Sequence, residues 1–239
     1  MTRVLRTDEA GALREAAGAL ADGAVVAVPT DTVYGLAVDP AQPDAVERLF
    51  ALKGRPADVP LPILVAGSEQ VALVAGDLDV AARALAERYW PGPLTLVVPR
   101  RPVFTVDLGG PATARQTVGV RRPDHPVIVA LCDLLGPLAV TSANRHGAPP
   151  ATTAAEVVRV FAGSDQPEVV LDGGECSGVP STVVECRGPA SRCLREGALP
   201  WAELHRGQDA TGRGPAGAPD ADGVDGAGPD GGHLWDAAR

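Results

Sequence analysis

Ala24-Val25-Val26-Ala27-Val28, running directly into Pro29-Thr30-Asp31-Thr32-Val33-Tyr34-Gly35-Leu36, is the stretch on which the fold turns. Five consecutive small or β-branched apolar residues read as a strand buried on both faces, and Pro29 to Leu36 as a polar turn leaving its end. Upstream, Asp8 is placed to cap a helix that buries Leu13, Ala16, Ala17 and Leu20 and stops at Gly23. Downstream, Val46, Leu49 and Phe50 give Pro43 to Leu52 a helical stripe, with Lys53 at its end. The alternation continues. Leu61 to Val65, Leu94 to Val98, Thr117 to Arg121, Leu138 to Val140, Val169 to Leu171, Ser181 to Glu185 and Cys193 to Arg195 read as strands. Asp79 to Trp90, Pro126 to Leu135 and Thr153 to Phe161 read as helices. Strands alternating with helices predict an α/β domain.

The 239 residues are 45% hydrophobic but only 3% aromatic, so a core of Val, Leu and Ala is expected. Apolar runs stay well short of a membrane span and the first residues have no signal-peptide pattern, which predicts a cytoplasmic protein with no membrane partner. Cys132, Cys176, Cys186 and Cys193 lack zinc-ligand spacing and are expected to be reduced. Net charge is −9. From Gly207 onward six aspartates face two arginines in a Gly-, Ala- and Pro-rich context, which predicts a disordered tail over 207–239 behind a folded domain over 1–206.

Lys53 is the sole lysine, in Lys53-Gly54-Arg55-Pro56, among arginines everywhere else. An ammonium is a compact charge that settles between phosphate oxygens or beside a carboxylate, where a guanidinium acts as a planar fork. Other polar segments fall at strand ends, where open α/β sheets bind ligands: Pro29 to Leu36, Arg121-Arg122-Pro123, Thr141-Ser142-Ala143-Asn144 and Val179-Pro180-Ser181-Thr182. Hydroxyls and an amide would line such a pocket, with Lys53, Arg55, Arg121 and Arg195 as its cations. That inventory suits an anionic substrate. The common glycine-rich phosphate loops and the nucleophile elbow are missing from the sequence, so a nucleotide needs another cradle.

Pro29 to Leu36, Lys53-Gly54-Arg55-Pro56, Trp90-Pro91-Gly92-Pro93-Leu94-Thr95, Thr117-Val118-Gly119-Val120-Arg121, Ser142-Ala143-Asn144, Ser181-Thr182-Val183-Val184 and Leu194-Arg195-Glu196-Gly197 occur in one order and spacing. Over residues 8 to 206 the chain thereby resembles the YrdC-like threonylcarbamoyl-AMP synthases. The resemblance implies a single-domain α/β fold with a twisted, open mixed sheet flanked by helices around a positive cavity. It implies that L-threonine, bicarbonate and ATP become threonylcarbamoyl-AMP and pyrophosphate. Separate proteins would use that product to modify a tRNA adenosine, and tRNA contact is a further implied partner.

By the same resemblance, Lys53 and Arg55 are the catalytic cations on phosphate and carboxylate. Thr117, Asn144 and Arg195 join them in binding ATP, and Thr30, Arg121, Ser142 and Ser181 hold threonine, Arg121 by its carboxylate. Magnesium would ride on the ATP phosphates without a protein cage. Arg121 has a local alternative partner in Asp124. Tyr34 is expected at the pocket wall, with the core as its alternative place, and His125 as a structural turn residue.

Two features depart from the family pattern. Some relatives carry a histidine in the strand corresponding to Leu61 to Val65, where this sequence has none. Others carry a further C-terminal domain that a Gly- and Asp-rich tail cannot form. The competing readings are a carbamoyl-adenylating enzyme, whose relatives carry extra domains not seen in this sequence, and a non-catalytic double-stranded RNA or tRNA binder, which acidic balance disfavours.

Overall fold

The structure is a computed structural model that describes residues 1–54, 59–163, 165–187 and 191–209. Its strands are β1 (Arg3–Arg6), β2 (Val26–Val28), β3 (Gly35–Val38), β4 (Ile63–Leu64), β5 (Leu94–Pro99), β6 (Thr117–Arg121), β7 (Leu138–Ser142), β8 (Val169–Asp172), β9 (Thr182–Cys186) and β10 (Ser191–Arg195). They join in one mixed sheet of order β1-β8-β2-β3-β7-β4-β6-β5-β9-β10, open at β1 and β10. The helices are α1 (Ala12–Ala21), α2 (Pro43–Lys53), α3 (Ser68–Val74), α4 (Val80–Tyr89), α5 (Pro126–Leu135), α6 (Ala154–Val160) and α7 (Trp201–Asp209). None of these is long and apolar enough to cross a membrane.

Period-two alternation divides the interior into two layers. Val26 and Val28 of β2, Ala37 of β3, and Val169 and Leu171 of β8 face one way. They pack with Ala12, Ala16, Ala17 and Leu20 of α1 and Val127, Ile128 and Leu131 of α5. Ala27, Leu36, Val38 and Val170 face the other way, against Val46, Leu49 and Phe50 of α2, Leu85 of α4 and Val157 of α6. Toward β5, β9 and β10 the α1–α5 side thins to a small cluster of Val97, Val183 and Leu194. That thin region is where the sheet face opens into a cavity.

Local signals set the helix ends. Asp79 accepts from Ala82 N at 2.7 Å and Thr153 from Glu156 N at 3.2 Å, each satisfying an otherwise orphaned N–H. α2 opens on Pro43 and closes on Gly54, whose φ of 60° is a left-handed conformation that glycine adopts without strain. The expected Asp8 cap is corrected. Gly11 occupies the N-cap of α1, and Asp8 instead pairs with Arg6 at 2.8 Å on the surface.

Four elements were absent from the sequence reading: β1, β3, α3 and α7. The polar turn after β2 ends sooner than expected, because Gly35–Val38 pairs antiparallel with both β2 and β7. α7 runs to Asp209, past the expected domain boundary at 206. The remainder of the expected tail, 210–239, lies outside the described residues.

His125 is the N-cap of α5, with its Nδ1 accepting from Val127 N at 3.3 Å. Only the neutral ring can accept there, and burial holds its pKa below the ordinary histidine value, against the opposing pull of Asp31 and Asp124. A lowered folded pKa means that the neutral form stabilises the fold above about pH 6.5. That contribution is lost as pH falls from there through the folded value. Urea unfolding at pH 7.5 and 5.0 should therefore show a larger drop in midpoint for the wild type than for His125→Asn, which caps without titrating. Equal drops would contradict this role.

Candidate functional site

A cavity of about 790 Å³ lies where strands from both ends of the chain meet. Thr30 and Thr32 enter from the β2–β3 loop, Leu64 from β4, Thr95 from β5, Arg121 from β6, Ser142 and Asn144 from the end of β7, Ser181 from the start of β9, and Arg195 from β10. Six of the nine sequence-derived candidates line it: Thr30, Arg121, Ser142, Asn144, Ser181 and Arg195.

Arg121 sits on its floor, buried except for 5% of its surface. Burial pulls its pKa below the ordinary arginine value, while Asp31 pulls it back up. The guanidinium is held on three sides. Its Nε donates to Gly92 O at 3.1 Å, Nη1 to Thr32 Oγ1 at 3.0 Å, and Nη2 to Asp31 Oδ1. The partner is thus Asp31, 90 residues away, and not the neighbouring Asp124. Because the Thr30 hydroxyl donates its one proton to Val33 O at 2.6 Å, Thr30 Oγ1 accepts in its 3.0 Å contact with Thr32 Oγ1, which supplies the proton. One oriented chain of hydroxyls therefore runs from Arg121 back into the loop.

A second network surrounds Lys53, 3% exposed at the end of α2. Its ammonium donates to Ser142 O, to Asn144 O at 3.0 Å and to Asn144 Oδ1 at 3.1 Å. Ser142 Oγ also donates to Asn144 Oδ1 at 2.6 Å, and Asn144 Nδ2 donates to Ala148 O at 2.6 Å. The helix end supports this loop further, since Arg145 donates to Leu52 O at 2.7 Å and His146 N to Lys53 O at 2.9 Å. Cations are favoured at a helix C-terminus, where unpaired carbonyls gather. Lys53 does not line the cavity; it stands behind the wall that Ser142 and Asn144 present.

On the opposite side Arg195 Nη2 donates to Ser181 O at 2.9 Å and Ser181 Oγ at 3.3 Å, and Ser181 Oγ meets Thr95 Oγ1 at 2.9 Å. Arg195 thus fixes the turn that carries Ser181.

Two expectations change. Thr117 shares a sheet face with Arg121 but is not a lining residue. It is buried under the 3-10 turn Ala112–Gln116, its hydroxyl donating to Ala114 O at 3.3 Å. Tyr34 is not a wall either. It is fully buried, donates to Gly174 O at 2.9 Å, and burial pushes its pKa up to about 12. Arg55 lies outside the described residues. The sequence reading missed Asp31, Thr32, Thr95 and Cys193; alternation along β5 was the available signal for Thr95, whereas a register shift between Cys193 and Arg195 breaks the alternation along β10.

The Sua5/YciO/YrdC family model, described as telomere recombination, matches residues 18–197. The chain is 42% identical over 196 residues to the threonylcarbamoyl-AMP synthase of Pyrococcus abyssi, covering 81% of this chain and 56% of that protein. To the Bacillus subtilis threonylcarbamoyl-AMP synthase it is 38% identical over 191 residues, covering 78% and 54%. The chain therefore spans about half the length of these two relatives. The crystal structure of P. abyssi Sua5 complexed with L-threonine superposes with a TM-score of 0.78 at 40% identity, covering 87% of this chain and 60% of that one.

Proposed function

We propose that this chain, which belongs to the Sua5/YciO/YrdC family, condenses L-threonine, bicarbonate and ATP into threonylcarbamoyl-AMP, releasing pyrophosphate. The observation that carries the reading is the placement of Arg121 and Arg195 on one cavity with the Ser142–Asn144 wall. A volume of about 790 Å³ lies within the range of small-molecule sites and has room for two reactants side by side. The naming of L-threonine in the P. abyssi complex supports the amino-acid half.

The chemistry asks mainly for positioning. Bicarbonate takes up one proton and yields carbon dioxide and water; the threonine nitrogen, as the free amine, adds to the carbon and gives one proton back, leaving a carbamate. A carbamate oxygen then forms a bond to the α-phosphorus of ATP as the bond from that phosphorus to the bridging oxygen breaks. Pyrophosphate leaves with that electron pair and with the magnesium its oxygens carry. Charge spreading over phosphate oxygens in such transfers is stabilised by fixed donors and cations.

In this reading Arg121 takes the threonine carboxylate as a two-pronged donor, with Thr30, Ser142 and Ser181 around the amino acid. Arg195 and Asn144 face the nucleotide, and Lys53 acts on it through Asn144. Arg55 is retained as a second phosphate cation on the strength of the Lys53-Gly54-Arg55-Pro56 motif. A folded unit that reaches to the end of α7, cytoplasmic location and delivery of the adenylate to tRNA-modifying proteins complete the proposal.

The test is to incubate the protein with ATP, magnesium and bicarbonate plus threonine, serine or glycine, following pyrophosphate and the adenylate by mass spectrometry. A threonine-dependent adenylate is expected. Pyrophosphate release indifferent to amino acid and bicarbonate would overturn the reading, and tRNA retention without turnover would favour a binding module.

A further inference from the structure

Resting on that reading, we infer that Asp31 is a positioning residue that aims Arg121 and so confines the amino-acid half of the cavity to substrates bearing a free α-carboxylate. An arginine has five N–H groups. Among the described residues, Arg121 spends Nε on Gly92 O, one hydrogen of Nη1 on Thr32 Oγ1 and one of Nη2 on Asp31 Oδ1. One N–H remains on each terminal nitrogen, enough donors for the two oxygens of a carboxylate. The three protein partners take the other positions, so the fork cannot rotate without breaking one of them.

Asp31 is the costly member of this arrangement. Its side chain is 13% exposed, and its second oxygen, Oδ2, is buried with no hydrogen-bond partner among the described residues. An unsatisfied carboxylate oxygen lowers stability, and the ion pair itself carries a desolvation penalty. A neutral acceptor would hold Nη2 at less cost. What the carboxylate adds is charge: it offsets the positive charge of a 5%-exposed guanidinium and holds it fixed before any ligand arrives. Asp31 is not among the residues lining the cavity, so its effect passes through Arg121. The loop is tied down to match, because Ser177 Oγ donates to the backbone oxygens of Asp31 and Thr32, each at 3.1 Å, and Gly178 N donates to Thr32 O at 2.8 Å.

The experiment compares wild type, Asp31→Asn and Asp31→Ala in threonine-dependent pyrophosphate release, with KM measured separately for threonine and ATP and with L-threoninamide as an alternative substrate. The expected result is a rise in threonine KM of about tenfold for Asp31→Asn, the scale of one charged hydrogen bond weakened. A larger rise is expected for Asp31→Ala, with ATP KM within about twofold of wild type, as befits a group on the other half of the cavity. Threoninamide should be a poor substrate for the wild type, and the threonine-over-amide preference should shrink in both variants. A variant of unchanged melting temperature whose threonine KM and amide discrimination match the wild type would overturn the inference. Asp31→Asn preserves shape and decides the matter if Asp31→Ala does not fold. Absence of threonine-dependent release by the wild type would instead sink the functional reading.

Discussion

Arg121→Ala should lose threonine-dependent adenylate formation by at least about a hundredfold and unfold about 3–5 kcal/mol more easily, the usual cost of removing one member of a buried ion pair. Both effects have one origin. The substitution deletes the proposed carboxylate fork and leaves Asp31, already short of a partner at Oδ2, as an uncompensated charge beneath the cavity floor. Arg121→Lys separates the two. A lysine can meet Asp31 but cannot reach Gly92 O and Thr32 Oγ1 while presenting a flat pair of donors, so stability should recover more than turnover does. Urea unfolding together with threonine KM reads both. An alanine variant as stable and as active as the wild type would remove Arg121 from the site.

Lys53→Met should cut turnover about 10²–10³-fold, the range seen when a fixed transition-state donor is lost, with a smaller effect on stability because methionine keeps the buried stem. The loss is expected through the Ser142–Asn144 wall, whose three acceptors the ammonium gathers. Asn144→Ala should therefore resemble Lys53→Met, and the double variant should be little worse than either, the signature of residues acting as a unit. Additive losses would mean that Lys53 reaches the nucleotide independently. Normal turnover by Lys53→Met would reduce it to a structural lysine.

The architecture was legible where hydrophobic pattern and local stop signals agreed. Pro126 to Leu135 matches α5 residue for residue, with Pro126 at its start and Gly136 at its end. β1 was illegible because Arg3–Arg6 is a mostly exposed edge strand, identified only by its parallel pairing with β8 far along the chain. β3 hid in the polar turn, since a glycine-led strand of four residues draws its identity from β2 and β7 on either side.

The cavity was legible as a set of residues and not as a wiring diagram. Motif order brought Thr30, Arg121, Ser142, Asn144, Ser181 and Arg195 to one place. Asp124 is the nearer carboxylate to Arg121 in sequence, yet the pairing to Asp31 depends on how the β2–β3 loop lies over β6, which no local pattern encodes. Lys53 stood out by rarity, but its place behind the wall follows from α2 ending against the loop after β7.

The sheet order interleaves early and late strands: β8 lies between β1 and β2, and β9 beside β5. A polypeptide growing from its amino terminus on the ribosome thus holds Thr30 and Arg121 long before Ser181 and Arg195 have been made. A chain that ends before β9 lacks both Ser181 and Arg195, so that side of the cavity is complete only once the carboxyl-terminal hairpin of β9 and β10 has been made.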